Sequence, residues 1–255
     1  MFWPGFAMCV VASLCGMPAV QRWRHDQISP WEGMGWRLDR RAWVDIGGGV
    51  AISALAMVGI FGLEWALGLL HVRSVQPPYL AWMIRLPVLA FLAFYEESVY
   101  RSLMVNGLLV LLRKRWLVLT IMAACFGLAH AGNPNASALS VIGNIIDGLI
   151  YGVAFLGSGS IWLPWGLHFA WNFFQGPVLG FPVSGLDMGG LVQQTPVGNA
   201  LLTGGSYGPE AGLLALALRL VATTLLLGWL AWRSRRKQNG EDTKWGSRLA
   251  EKEAA

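Results

Sequence analysis

The chain has 255 residues, of which 55% are hydrophobic and only 13% charged. Soluble domains carry about 25% charged residues, so the composition excludes an ordinary soluble globule and points to a polytopic membrane protein. The net charge is +5. Its basic residues cluster between apolar runs (Arg22, Arg24, Arg37, Arg40, Arg41; Arg113, Lys114, Arg115; Arg233, Arg235, Arg236, Lys237), which marks the cytoplasmic ends of helices rather than a nucleic-acid surface.

Taken in chain order, the apolar runs predict seven spans. The first covers 1–20 and lacks the basic n-region of a cleaved signal peptide. Its arginines follow it, which places the N-terminus outside. A polar loop, 21–41, leads to a second span over 43–71 that contains Glu64. A short loop, 71–78, ends in Pro77-Pro78. The third span, 79–112, holds Arg85, Glu96, Glu97 and Arg101. The fourth, 116–131, is closed by Asn133-Pro134, and the fifth, 138–156, contains Asp147. A tight turn at 157–159 precedes a short, tryptophan-rich sixth span over 161–174. A Gly- and Pro-rich loop, 176–207, has neither Lys nor Arg, and the last span, 211–232, contains Arg219. All basic clusters then fall on one side, with the C-terminus in the cytoplasm. The expected fold is an all-α, polytopic transmembrane helical bundle of about seven spans. Short alternating segments of a β-barrel are not visible. The chain divides into an N-terminal apolar segment and basic loop (1–42), a membrane domain (43–232, with its motif core at 79–174) and a charged cytoplasmic tail (233–255). Cys9, Cys15 and Cys125 all lie in apolar runs and read as small buried hydrophobes.

Ionisable residues inside a span cost about 2.5–3.5 kcal/mol each even on lenient scales, and are functional candidates for that reason. Glu97 and Arg101 are four residues apart, share a helix face and can pair. Glu96 is then left without an intrahelical partner, as a general base would be. Phe126 and His130 repeat the four-residue spacing at the end of the fourth span, and His168 and Asn172 repeat it in the sixth. The latter two can aim donors at one point, although polar residues also serve plainly as interhelical hydrogen bonds. Asp147, Glu64, Arg85 and Arg219 follow no pattern and read as packing or snorkelling residues.

Three motifs in order, "EESVYR", "FGLAH" and "HFAWN", resemble those of the CPBP family of intramembrane proteases, which includes the Rce1-type CAAX prenyl endopeptidases and the bacterial Abi proteins. The resemblance implies a helical bundle around a cavity, in a bacterial plasma membrane, that hydrolyses a peptide bond near the C-terminus of a membrane-anchored protein or peptide. It further implies that Glu96 and His130 activate water, that His168 and Asn172 hold the oxyanion, and that Glu97 and Arg101 orient the first glutamate. The family is often labelled a metalloprotease. Glu96, His130 and His168 are zinc-ligand types, but HExxH spacing is absent and Asn172 is a better oxyanion donor than ligand. The expectation is therefore a metal-independent glutamate mechanism, with zinc left open. The alternatives are a non-catalytic bacteriocin-immunity-type membrane protein and a proton or ion carrier; the broken midplane helices of transporters are not evident.

Helix arithmetic bears on the side the site faces. Glu96 is 17 residues from Arg113, and His130 is 14 from Trp116, heights of about 25 and about 21 Å above the basic face at 1.5 Å per residue. Both lie past the midplane of a hydrocarbon core about 30 Å thick. The site is thus expected to open on the outer side, with loop 176–207 as a candidate lid and a sorting tail or secreted peptide as an alternative to a prenylated substrate.

Overall fold

The computed structural model describes residues 3–77 and 79–238 of the chain, with side chains over 11–77 and 79–236. Residues 1–2, the Cys9 side chain, Pro78 and most of the expected tail lie outside the described residues. In chain order the elements are α1 (Trp3–His25), α2 (Pro30–Gly33), α3 (Arg40–Ala66), β1 (Leu70–Val75), α4 (Tyr79–Glu97), a π-helical segment Ser98–Val105, α5 (Asn106–Leu112), α6 (Arg115–Ala129) with a closing 3-10 turn His130–Gly132, and α7 (Ala138–Ser158). They continue with α8 (Trp162–Phe173), a π turn Phe174–Val178, β2 (Val192–Pro196), α9 (Ala200–Thr203), a 3-10 turn Pro209–Ala211 and α10 (Leu213–Gln238).

Five helices among the described residues are long and apolar enough to cross a membrane: Arg40–Ala66, Tyr79–Leu112, Arg115–Gly132, Ala138–Ser158 and Leu213–Arg236. The expected seven spans are thereby reduced. The sixth is only 12 residues long in α8, about 18 Å at helical rise, short of the roughly 30 Å hydrocarbon thickness. It lies inside the bundle instead. A Cβ added at Gly49 of α3 would come within 2.7 Å of the Leu163 carbonyl, and one at Gly166 of α8 within 2.7 Å of the Ile46 carbonyl. These two glycines let the backbones of α3 and α8 touch, as small residues do between membrane helices.

The second span also ends earlier than the apolar run suggests. Helix α3 stops at Ala66 and Gly68 turns the chain at φ +70°. Residues 70–75 then pair antiparallel with 192–196, with an irregularity between Val72 and Ser74. The fold is therefore mostly helical with a two-stranded ribbon, not purely α. The third span is continuous but changes pitch directly after the glutamate pair, where the π segment buries Tyr100, Arg101, Ser102, Met104 and Val105.

Local chemistry sets the helix ends. The Asp39 side chain accepts the Ala42 amide at 3.1 Å and starts α3. Ser137 and Ser140 form a reciprocal capping box for α7, which stops at Gly159 with φ +68°. One end of the bundle carries the basic clusters. There Ile161 N donates to Gly35 O at 3.1 Å, Asn106 to Gly33 O at 3.1 Å and Arg233 to Ser158 O at 2.9 Å. The opposite end carries the ribbon, the His130–Ser137 connection and the long segment between α8 and α10.

Candidate active site

The wide turns of the π segment follow Glu97 immediately, a placement common at functional sites. Glu97 is fully buried. One of its oxygens lies 3.1 Å from Arg101 Nε, an ionic contact without good hydrogen-bond alignment. The other accepts from His168 Nδ1 at 2.9 Å. Helix α4 is thus fastened to α8 through one carboxylate. The Arg101 guanidinium donates to the Gly148 carbonyl of α7 at 3.3 Å and lies 4.7 Å from the Phe126 ring, with Tyr151 and Tyr100 at 5.4 and 5.7 Å. Such an aromatic cage favours a cation, and more strongly when it is desolvated.

Phe126 joins the motifs. Its ring centroid is 4.7 Å from that of His130 and 5.9 Å from that of His168. His130 Nδ1 is 2.8 Å from the Phe126 carbonyl oxygen. A carbonyl only accepts, so Nδ1 carries the hydrogen and the neutral ring keeps its lone pair on Nε2. His168 stacks on Tyr151 at 5.0 Å and 16°. Its Nδ1 hydrogen goes to Glu97, which leaves Nε2 pointing toward Glu96, 4.0 Å from Glu96 Oε2. That gap is too long for a direct hydrogen bond. Glu96 Oε2 has no hydrogen-bond partner among the described residues.

Glu96, His130, His168 and Asn172 all line one cavity of about 340 Å³. They come from α4, the end of α6, and α8. Glu97 and Arg101 stand behind this wall and do not line it. Val183, Ser184, Leu186 and Met188 of the segment after α8 line the same cavity, so the long loop covers the site end of the bundle. Trp82 Nε1 donates to Pro177 O at 2.8 Å and Arg85 to Gly189 O at 3.0 Å, which ties that loop to α4. Arg85 is therefore a loop anchor rather than a snorkelling residue.

Two further features escape the motif reading. Asp147 lines the cavity, and both its oxygens accept from Arg219 of α10, at 2.7 and 2.8 Å. The guanidinium also lies 5.0 Å from the Trp171 ring, beside Asn172. Opposite charges lying singly on two predicted spans were the available signal, since such residues pair inside membranes. The second feature is Glu210, which also lines the cavity. One of its oxygens accepts from the Ser184 amide at 3.0 Å and the Ser184 hydroxyl at 3.1 Å, and the other from Gln175 Nε2. No sequence pattern marks this group. Glu64 is fully buried in α3, and its carboxylate has no hydrogen-bond partner among the described residues; it does not line the cavity.

Glu96, His130 and His168 do not come together as a ligand set. Among the described residues no three His, Cys, Asp or Glu side chains group closely enough to hold one metal ion.

Comparison with known families gives one result. Residues 76–174 match the family model described as Type II CAAX prenyl endopeptidase Rce1-like, a stretch that contains all three motifs. No curated protein and no solved structure matches the chain.

Proposed function

Because residues 76–174 match the Rce1-like CAAX prenyl endopeptidase family model, we propose that the chain is an intramembrane endopeptidase in which Glu96 and His130 activate water. The observation that carries this reading is the single cavity lined by Glu96, His130, His168 and Asn172. Amide hydrolysis needs a base near water and donors near the developing oxyanion. Glu96, unpaired on one oxygen, takes one proton from water, and His130 Nε2 accepts a hydrogen bond from the remaining O–H and orients the attacking hydroxide. The new C–O bond forms on the scissile carbonyl. Asn172 Nδ2 and His168 Nε2–H donate to the resulting oxyanion. A ring that donates from both nitrogens is an imidazolium, and His168 sits between two carboxylates that suit that charge. The C–N bond then breaks as Glu96 returns its proton to the departing amine. Glu97 and Arg101 act as positioning residues: Glu97 fixes the His168 ring, and Arg101 holds Glu97 against α7. The substrate class that fits is a membrane-anchored protein or peptide, CAAX-type prenylated or a sorting tail, cut near its C-terminus.

The test is Glu96→Gln in detergent-solubilised protein, with a prenylated CAAX-type peptide and a membrane-anchored tail peptide both offered. Wild type is expected to cleave one of them, and the variant to lose about 10²–10⁴ of that rate, the usual worth of a general base. Equal cleavage by both proteins would remove Glu96 from the mechanism. Cleavage of neither peptide by wild type would favour the non-catalytic immunity-type reading.

A further inference from the structure

The inner end of the candidate active-site cavity holds hydrogen-bonding groups that the fold leaves unused. The third span runs toward the basic end, so Tyr100, four residues after Glu96, returns to the same helix face at most about 6 Å deeper. Helix α6 starts at the basic end and runs the opposite way, so Phe126 lies one turn deeper than His130. Both side chains line the cavity, as does Tyr151 of α7. The rings of Tyr100 and Phe126 meet edge to face at 5.1 Å and 79°, and those of Phe126 and Tyr151 at 6.2 Å and 84°. Tyr100, Phe126 and Tyr151 thus close the cavity toward the basic end as one aromatic floor.

Tyr100 is 5% exposed and Tyr151 4%. Among the described residues neither hydroxyl has a hydrogen-bond partner. Trp171 Nε1, in the wall of the same cavity, is buried and has none either. A buried phenol or indole normally finds a partner, and a buried donor left unmet is costly. Donors that the fold leaves unmet around one cavity mark where a ligand meets them. Charge narrows what that ligand is. The carboxylates of Glu96, Asp147 and Glu210 line the cavity, which disfavours an acidic group. The Arg101 guanidinium lies behind the floor, 4.7 Å from the Phe126 ring and 5.7 Å from that of Tyr100, which disfavours a basic one.

We propose that Tyr100 is a specificity-determining residue: its hydroxyl hydrogen-bonds the uncharged polar tip, an amide or a hydroxyl, of a substrate side chain next to the scissile bond. The scissile carbonyl lies at the level of Glu96, His130 and Asn172, and a flanking side chain reaches down to the floor. The rings pack its methylenes and the phenol meets its tip. A wholly apolar side chain of the same length fills the floor but leaves the phenol unpaired, which is how a polar pocket rejects an apolar analogue. The inference rests on the protease reading, because it takes the bound group to belong to the peptide that Glu96 attacks.

The test uses the full chain in detergent. Each residue of the prenylated peptide and of the membrane-anchored tail peptide is set in turn to Gln, Met, Glu or Lys; Gln and Met have similar length and differ in polarity. At one position, adjacent to the bond that is cut, wild type should favour Gln over Met about tenfold in kcat/KM, and should favour it over Glu and Lys as well. In Tyr100→Phe, which keeps the ring, the Gln-to-Met ratio should fall to near one. The ratio is taken within each protein, so a general loss of activity cancels. Tm should stay within about 2 °C of wild type, because the hydroxyl has no partner in the free protein. A Gln-to-Met ratio that is the same in both proteins at every position would overturn the proposal and leave the phenol to bound water. A Tm several degrees lower with an unchanged ratio would make the hydroxyl a structural group instead. The same preference is read as Kd in Glu96→Gln and in Glu96→Gln/Tyr100→Phe, which separates the two readings. A Gln preference in binding that needs Tyr100, with no cleavage by wild type, would keep the floor and overturn the protease reading. Binding without any such preference would overturn the floor whether or not the peptides are cut, and no binding of any peptide would overturn both.

Discussion

Glu96 and Glu97 are neighbours in the chain, yet their carboxylates have opposite surroundings. Glu97 is fully buried between Arg101 and His168, whereas the Glu96 side chain is 30% exposed and faces the cavity. Removing one partner of a buried ion pair leaves an uncompensated charge and costs about 3–5 kcal/mol. Glu97→Gln is therefore expected to lower stability by about 3 kcal/mol and to abolish cleavage by releasing the His168 ring. Glu96→Gln loses only the long 4.0 Å contact to His168 Nε2 and breaks no hydrogen bond of Glu96 Oε2, so it should cost less than about 1 kcal/mol while losing activity. Denaturation of both variants in detergent decides this, and a larger stability loss in Glu96→Gln would invert the assignment. At this scale much was legible. The four-residue spacing of Glu97 and Arg101, and of Phe126 and His130, gives their contacts directly, because those contacts are local to one helix. The Asp147–Arg219 pair was not legible as a pair, since 72 residues separate its members and only the bundle brings α7 to α10.

The element with most bearing on the cavity is the segment between α8 and α10. A sequence this rich in glycine reads as one loose loop, yet it contains a π turn, a strand, a short helix and a 3-10 turn. The strand could not be foreseen. "VQQTP" is polar, and its partner "LHVRSV" lies about 120 residues earlier, so only tertiary structure creates the ribbon. The pitch change at Ser98–Val105 is equally invisible to a reading that assumes 3.6 residues per turn. Glu210 fastens this segment over the cavity through Ser184 and Gln175. Burial raises its carboxyl from 4.5 to about 7, against the lowering effects of the Gln175 hydrogen bond and the nearby Arg219; Asp147 adds to the rise. The sign follows from proton counts. Between the unfolded value and about 7 the folded state holds more protons, so its contribution to stability is complete below about 4.5 and is lost as pH rises through about 7. Wild-type Tm is thus expected to fall between pH 5.5 and 8 more steeply than that of Glu210→Gln, which cannot titrate there. Parallel Tm profiles for the two proteins would show that Glu210 does not carry this dependence.

For the whole molecule, the open matter is which face of the membrane the cavity meets, and the arrangement of its ends argues for the outer one. The basic clusters and the end of α10 share one end. The active-site cavity is lined by Asn133, Ser184 and Glu210 from the other end. The short α8 explains how this geometry is reached. About 18 Å of helix starts at the basic end beside Gly35 and carries His168 and Asn172 up to the level of His130, where the α6 helix closes. If the basic end lies in the cytoplasm, as the positive-inside rule expects, the cavity would open outward, and under the proposed function its substrates would be tails or peptides presented on that side. The reading predicts an asymmetric labelling pattern in a background without native cysteines. Ser206→Cys, exposed on the covering segment, should react with a membrane-impermeant maleimide on intact cells. Lys114→Cys, exposed between α5 and α6, should react only after lysis. The reverse pattern would turn the molecule over. The cavity would then face cytosolic substrates.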